Sequence, residues 1–152
     1  METNEWRKGD YLLSTDKAKI DVEVVHDFLS QSYWAENIPL AVVKKSIGNS
    51  LCFALYHHDK LIGFARAISD FATFAYLADV FILPEKRGRG LSKWLMETIM
   101  GHPQLQGLRR FILATRDAHS LYAQFGFTPF DKPDRWMQRH DPDVYKRNAS
   151  WG

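Results

Sequence analysis

A single cysteine, Cys52, stands among the 152 residues, so an internal disulfide and a cysteine-based zinc site are both excluded. No apolar run approaches the ~20 residues that a membrane-spanning helix needs. The first residues, Met1-Glu2-Thr3-Asn4-Glu5-Trp6, begin acidic and lack the apolar stretch of a secretory signal. Neither sign of charge dominates. Twenty lysines and arginines face 18 aspartates and glutamates, which leaves no polycationic field to attract nucleic acid. Internal repeats, low-complexity tracts and Pro/Ser-rich linkers are missing too. These absences point to a cytoplasmic soluble protein with neither a nucleic-acid nor a membrane partner. Its length suits one domain, residues 1–152, with a substantial core.

Aromatic residues, by contrast, are plentiful at 14%, enough for a well-filled core or a pocket with stacking faces. The periodicity of the apolar residues predicts a mixed α/β chain. Tyr11 to Ser14 reads as a short strand. Asp21 is placed to cap a helix with Val22, Val25, Phe28, Leu29, Ser32 and Tyr33 at helical spacing. Pro39 suits the first turn of a second helix that stops at Gly48-Asn49. Strands follow over Leu51–Tyr56, Leu61–Ser69 and Phe74–Leu83, with turns at His57–Lys60 and Asp70–Thr73. A third helix runs from about Gly90 to Met100, a strand from Arg109 to Thr115, and a short helix capped by Asp117 and ended by Gly126. Phe127–Phe130 and Trp136–Arg139 read as closing strands.

The stretch from Val80 to Ser92 carries the chemistry. An apolar strand, Val80-Phe81-Ile82-Leu83, is ended by Pro84 and runs into the basic turn Glu85-Lys86-Arg87-Gly88-Arg89-Gly90 before a helix begins at Leu91-Ser92. Amides at a helix start have no partners within the helix and sit at the positive end of its dipole, so the turn is an anion site. Its glycines let an anion approach the main chain, and Arg87 and Arg89 add forked donors suited to phosphate. A Walker motif is absent, and Lys93 occupies the third glycine position of a dinucleotide fingerprint.

These residues resemble the GCN5-related N-acetyltransferase (GNAT) superfamily. Its cofactor signature is Gln or Arg, two residues, Gly, one residue, then Gly or Ala; Arg87, Gly90 and Ser92 take the defined positions, with Ser92 departing from Gly or Ala. Downstream, Ala118-His119-Ser120-Leu121-Tyr122-Ala123-Gln124-Phe125-Gly126-Phe127 is similar to the family's second conserved block. Thr115 stands where the family often has an asparagine that contacts the pantetheine arm. The resemblance covers Leu51 to about Phe130. It implies an α/β (α+β) fold with a twisted mixed sheet, splayed between its fourth and fifth strands and flanked by about four helices.

The resemblance also implies acetyl-CoA as co-substrate, without a metal. Val80, Phe81 and Ile82 would bind the acetyl-bearing arm through their backbones, one N–H polarising the thioester carbonyl. Arg87, Gly88, Arg89, Gly90, Leu91 and Ser92 would clasp the diphosphate. Tyr122 would be the general acid for the departing thiolate, or else a helix-face aromatic of the core. Asp79 reads either as a base, provided a bulge turns it to the acceptor side, or as a structural anchor, with proton removal through water as a further route. Trp34, Arg66 and Tyr76 would line the acceptor pocket; Arg66 would pair with Asp70 or recognise a substrate carboxylate. Cys52 should be buried and inert, which favours direct transfer in a ternary complex. His57 and His58 are expected to be solvated and His119 to lie on a helix surface. The expected reaction is acetyl transfer to the primary amine of a small molecule. A peptide amine as acceptor, or a silent CoA-binding sensor, are the alternatives. Trp136 or Trp151, if exposed, would mark a homodimer surface.

Overall fold

The computed structural model describes residues 2–147, so Trp151 lies outside the described residues. A hairpin of β1 (Glu5–Lys8) and β2 (Tyr11–Ser14) leads to helices α1 (Val22–Ser30) and α2 (Leu40–Gly48). Strands β3 (Leu51–His57), β4 (Lys60–Ser69) and β5 (Phe74–Ile82) form an antiparallel meander. Helix α3 (Leu91–Met100), strand β6 (Arg110–Leu113), helix α4 (His119–Ala123) and helix α5 (Val144–Arg147) complete the order. The sheet runs β1-β2-β3-β4-β5-β6, antiparallel throughout except for the last pair. This is the expected mixed α/β arrangement, with β1 and the short helix α5 as elements that the sequence reading does not anticipate. Among the described residues no helix is long and apolar enough to cross a membrane.

Alternation along β3 divides the core. Leu51, Phe53 and Leu55 face a cluster with Leu91, Leu95, Met96 and Ile99 of α3. Cys52, Ala54 and Tyr56 face a second cluster with Val25 and Leu29 of α1 and Val43 and Ile47 of α2. Every residue from Leu51 to Tyr56 is therefore buried, as a strand covered on both faces must be.

Three features set the site. Beyond Leu77, β5 has no partner on one side among the described residues, because its parallel pairing with β6 covers only Phe74–Leu77 against Arg110–Leu113. The main-chain groups of Ala78–Ile82 on that side are left for something else to bond. Second, β5 carries a bulge. Arg66 pairs with Ala78 and Phe64 with Phe81, so three steps on β5 match two on β4. Asp79 lies in the bulge with φ +55°. Third, β5 ends at Ile82, and a 3-10 turn over Pro84–Lys86 precedes Gly90, the residue before α3.

Several expectations are corrected. Helix α1 stops at Ser30, short of Ser32 and Tyr33, because the Ser32 hydroxyl donates to the Leu29 carbonyl (2.7 Å) and accepts from the Ala35 N–H (3.1 Å). The expected strand Arg109–Thr115 shortens to Arg110–Leu113. Asp117 does not cap α4; the Thr115 hydroxyl accepts from the Ala118 N–H instead, at 3.0 Å. Neither closing strand forms among the described residues. Pro129 and Pro133 remove ladder donors there, and a cleft of about 340 Å³ separates the Phe125–Asp131 segment from β6. Strand β1, whose sequence Glu-Trp-Arg-Lys is mostly charged, carries no apolar pattern to betray it; it forms by pairing with β2.

Candidate active site

The glycine turn is built by backbone geometry. Gly88 and Gly90 have φ of +80° and +76°, a left-handed region that a Cβ disfavours. Space around both is open, since an added Cβ would meet nothing within 4 Å. Helix α3 starts with no side-chain cap, whereas α1 has the Asp21 carboxylate accepting from the Val24 N–H at 3.3 Å. The amides of Leu91, Ser92 and Lys93 thus face an exposed glycine turn with no capping side chain. A diphosphate fits that donor set.

The cations around the turn are unequal. Arg87 bends back, its Nε donating to the Ile82 carbonyl at 3.0 Å, and so ties the turn to the end of β5. Lys86 donates to His57 Nδ1 at 2.9 Å. Burial, then the charges of Lys86 and His58, hold the His57 imidazole below its ordinary range. Asp10 joins His57 and His58, with ligand atoms within 4.8 Å of one another, a grouping that the distance between them in sequence conceals. Lys86 already takes the Nδ1 lone pair of His57. His119 is exposed at the start of α4.

Tyr122 is 8% exposed and packs within the α3-side cluster, edge-on to Phe127 at 6.1 Å. Burial, then the neighbouring Tyr33 phenol and Asp117, push its hydroxyl up from the ordinary tyrosine value, so it keeps its proton at neutral pH. Val80 is half-buried, and Phe81 and Ile82 are buried.

On the face covered by α1 and α2, the bulge brings Asp79 beside Arg66. Arg66 Nε donates to Asp79 Oδ2 at 2.9 Å, and the two side chains are 15% and 9% exposed. Trp34 Nε1 donates to Asp79 Oδ1 at 3.0 Å, and Arg66 also donates to the Ser50 hydroxyl at 3.1 Å. The expected Arg66–Asp70 pair is therefore absent. Asp70 closes its own turn, accepting from the amides of Ala72, Thr73 and Phe74 and from the Thr73 hydroxyl. The Thr73 bonds, first among these, hold its carboxyl well below the usual range. Tyr76 is half-buried and shares a face with Ala78 and Arg66. Tyr145 of α5 comes close as well: burial, then the Asp79 charge, push its phenol up. Ser50, Tyr145 and Arg116 join this region only through tertiary contacts, and nothing in their sequence neighbourhoods marks them. Cys52 is fully buried, and burial pushes its thiol up to about 11, which keeps it unreactive.

The family model for the acetyltransferase (GNAT) family matches residues 22–127. A Gibberella zeae protein named "Putative acetyltransferase" is 33% identical over 142 residues, covering 78% of this chain and 79% of that one. A GNAT-family protein of known structure from Xanthomonas campestris pv. campestris is 54% identical, with a TM-score of 0.87 over 89% of this chain and 96% of that one. A more distant structure, from Clostridium acetobutylicum and containing acetyl-CoA, shares the fold at 13% identity and a TM-score of 0.61, covering 91% of this chain and 96% of that one. The chain belongs to the acetyltransferase (GNAT) family and is an acyltransferase of that type.

Proposed function

We propose that this protein transfers the acetyl group of acetyl-CoA to the primary amine of a small molecule, directly, within a ternary complex. The observation that carries the reading is the continuity between the unpaired side of β5, over Ala78–Ile82, and the uncapped start of α3. The amides of the glycine turn and of Leu91 and Ser92 would hold the diphosphate, with Arg87 and Arg89 beside it. Thr115 would lie along the arm. The backbones of Val80, Phe81 and Ile82 would pair with the arm as an added strand does and direct an N–H at the carbonyl oxygen. Acetyl-CoA supplies the activated acyl group. Tyr122, buried and protonated, would give its proton to the leaving sulfur as the C–S bond breaks, while the proton lost by the acylated amine nitrogen would pass to water. A buried, high-pKa thiol at Cys52 supports direct transfer over a cysteine-bound acyl group. The reaction takes a free amine at the side of the sheet faced by Trp34, Arg66 and Tyr76.

Two measurements test this. Isothermal calorimetry with acetyl-CoA should give saturable heat; its absence at millimolar ligand refutes the reading. Incubation with acetyl-CoA and a pooled amine panel should release free thiol, and binding without release across the panel refutes the catalytic part.

A further inference from the structure

We propose that Asp79 is a positioning residue that latches the Tyr33–Trp34 turn across the split in the sheet. The latched turn forms an aromatic wall that selects acceptor amines carrying a flat apolar body. The proposal rests on the acetyl-transfer reading of the same site.

Neighbouring residues of one turn hold opposite lips of the split. Trp34 donates to Asp79 on β5 (3.0 Å), while the Tyr33 ring lies under the Arg116 guanidinium, 4.0 Å away and just past the end of β6. The turn is internally braced by the two Ser32 hydroxyl bonds and by the Asn37 N–H donating to the Ser30 carbonyl at 2.9 Å. From Asp79 the chain of contacts continues through Arg66 to Ser50, so the latch is tied to β4 and to the start of β3.

The backbone is arranged for this contact. Without the bulge, strand alternation would turn Asp79 to the α3 face. A non-glycine residue at φ +55° is tolerated only where its surroundings impose it. Each carboxylate oxygen of Asp79 already receives one directed donor, and one of those donors is a guanidinium. A base that must collect a proton from an ammonium would have to break that arrangement.

The selectivity follows from the wall. Tyr33 and Trp34 are 53% and 42% exposed, with rings edge-to-face at 5.1 Å. Phe28 lies 6.2 Å from Trp34 and stacks on Phe81 at 4.0 Å. Tyr76 and Tyr145 add aromatic surface near the Arg66–Asp79 pair, whose charges cancel. A flat apolar body gains stacking and area there. A polyamine would need uncommitted carboxylates, and Asp79 is engaged by Arg66.

The test is steady-state thiol release from acetyl-CoA with phenethylamine, n-butylamine and putrescine as acceptors. The expected result is a kcat/KM for phenethylamine roughly tenfold or more above the other two. Trp34→Ala should erase the preference. Trp34→Phe keeps a ring and the Arg66–Asp79 pair but removes the latching N–H; it should raise the phenethylamine KM several-fold and change kcat little. Asp79→Asn should do the same and keep the acid limb of the pH–rate profile, and combining it with Trp34→Phe should add nothing further. A preference for putrescine, a collapse of kcat in Asp79→Asn with loss of that limb, or simple additivity overturns the proposal. Hydrogen exchange gives a readout independent of acceptor: Trp34→Phe should speed exchange at the Ala35 and Asn37 amides and leave β3 unchanged. Equal protection in wild type and variant overturns the latch. A protein that binds no acetyl-CoA refutes the function itself, whereas one that binds it and fails these tests loses only the latch and wall.

Discussion

Gly63→Ala probes the joint between the core and the end of β5. Gly63 lies opposite Ile82 in the β4–β5 register, at the last residue of β5 before the glycine turn. A Cβ added there would sit 2.7 Å from Ile82 Cδ1, 3.2 Å from the Phe81 carbonyl oxygen and 3.3 Å from Leu55 Cβ. The first clash is with a side-chain tip and the second with backbone inside a paired strand. Overpacking of this kind costs about 1–3 kcal/mol. A value near 2 lowers Tm by roughly 4–8 °C in a domain of this size. Ile82→Val removes the Cδ1 methyl and by itself costs about 0.5–1.5 kcal/mol. The double variant should therefore be more stable than the sum of the singles by about 1 kcal/mol, a coupling expected only between residues in contact. Urea unfolding of all four proteins, with slopes held equal, measures it. Because the Ile82 carbonyl accepts from Arg87, Gly63→Ala should also weaken acetyl-CoA binding, and Ile82→Val should restore part of it. A Gly63→Ala protein within about 0.5 kcal/mol of wild type, or singles that simply add, would refute the reasoning.

Arg66→Ala leaves a buried carboxylate with only an indole donor, and should cost about 3–5 kcal/mol, read by thermal unfolding. Replacing both partners, as Arg66→Met with Asp79→Asn, should recover most of that loss, since both charges go and asparagine tolerates the positive φ at this position. His102 is 1% exposed between Trp6 and Phe53, accepts from the Gln104 N–H at Nδ1 (3.1 Å) and donates from Nε2 to Asn4 Oδ1 (3.1 Å). Burial holds this imidazole below its ordinary range, so as pH falls below about 6.5 the unfolded state takes the proton first and stability declines until the folded-state value is passed. His102→Gln should flatten that part of the stability–pH curve; an unchanged slope rejects the assignment. Tyr122→Phe should reduce turnover roughly tenfold or more without abolishing it, because a thiolate is a tolerable leaving group; unchanged steady-state turnover rejects the acid role.

The strand, turn and helix around Ile82–Leu91 are legible from residues alone because their causes are local. Pro84 ends a strand wherever it stands, glycines accept φ near +80°, and the i, i+4 spacing of Leu91, Leu95 and Ile99 defines one helix face. Asp21 as a cap acts within four residues and is equally readable, whereas Asp70, expected to meet Arg66, closes its own turn instead. Contacts between distant residues leave no such mark. Arg66 has Asp70 nearer in sequence than Asp79, yet antiparallel pairing and one bulged residue bring Asp79 to it. Helical spacing predicts that Ser32 and Tyr33 continue α1, but the chain turns there and carries Trp34 to Asp79.

Amino-acid order alone thus determined the family, the mixed α/β class and the glycine-bearing turn before α3, all of which rest on patterns among residues close in the chain. Tertiary structure alone decided which face Asp79 adopts, which cation it meets and what crosses the split. A one-residue bulge redirects a side chain to the other face of a sheet, and neither composition nor periodicity records where the register slips.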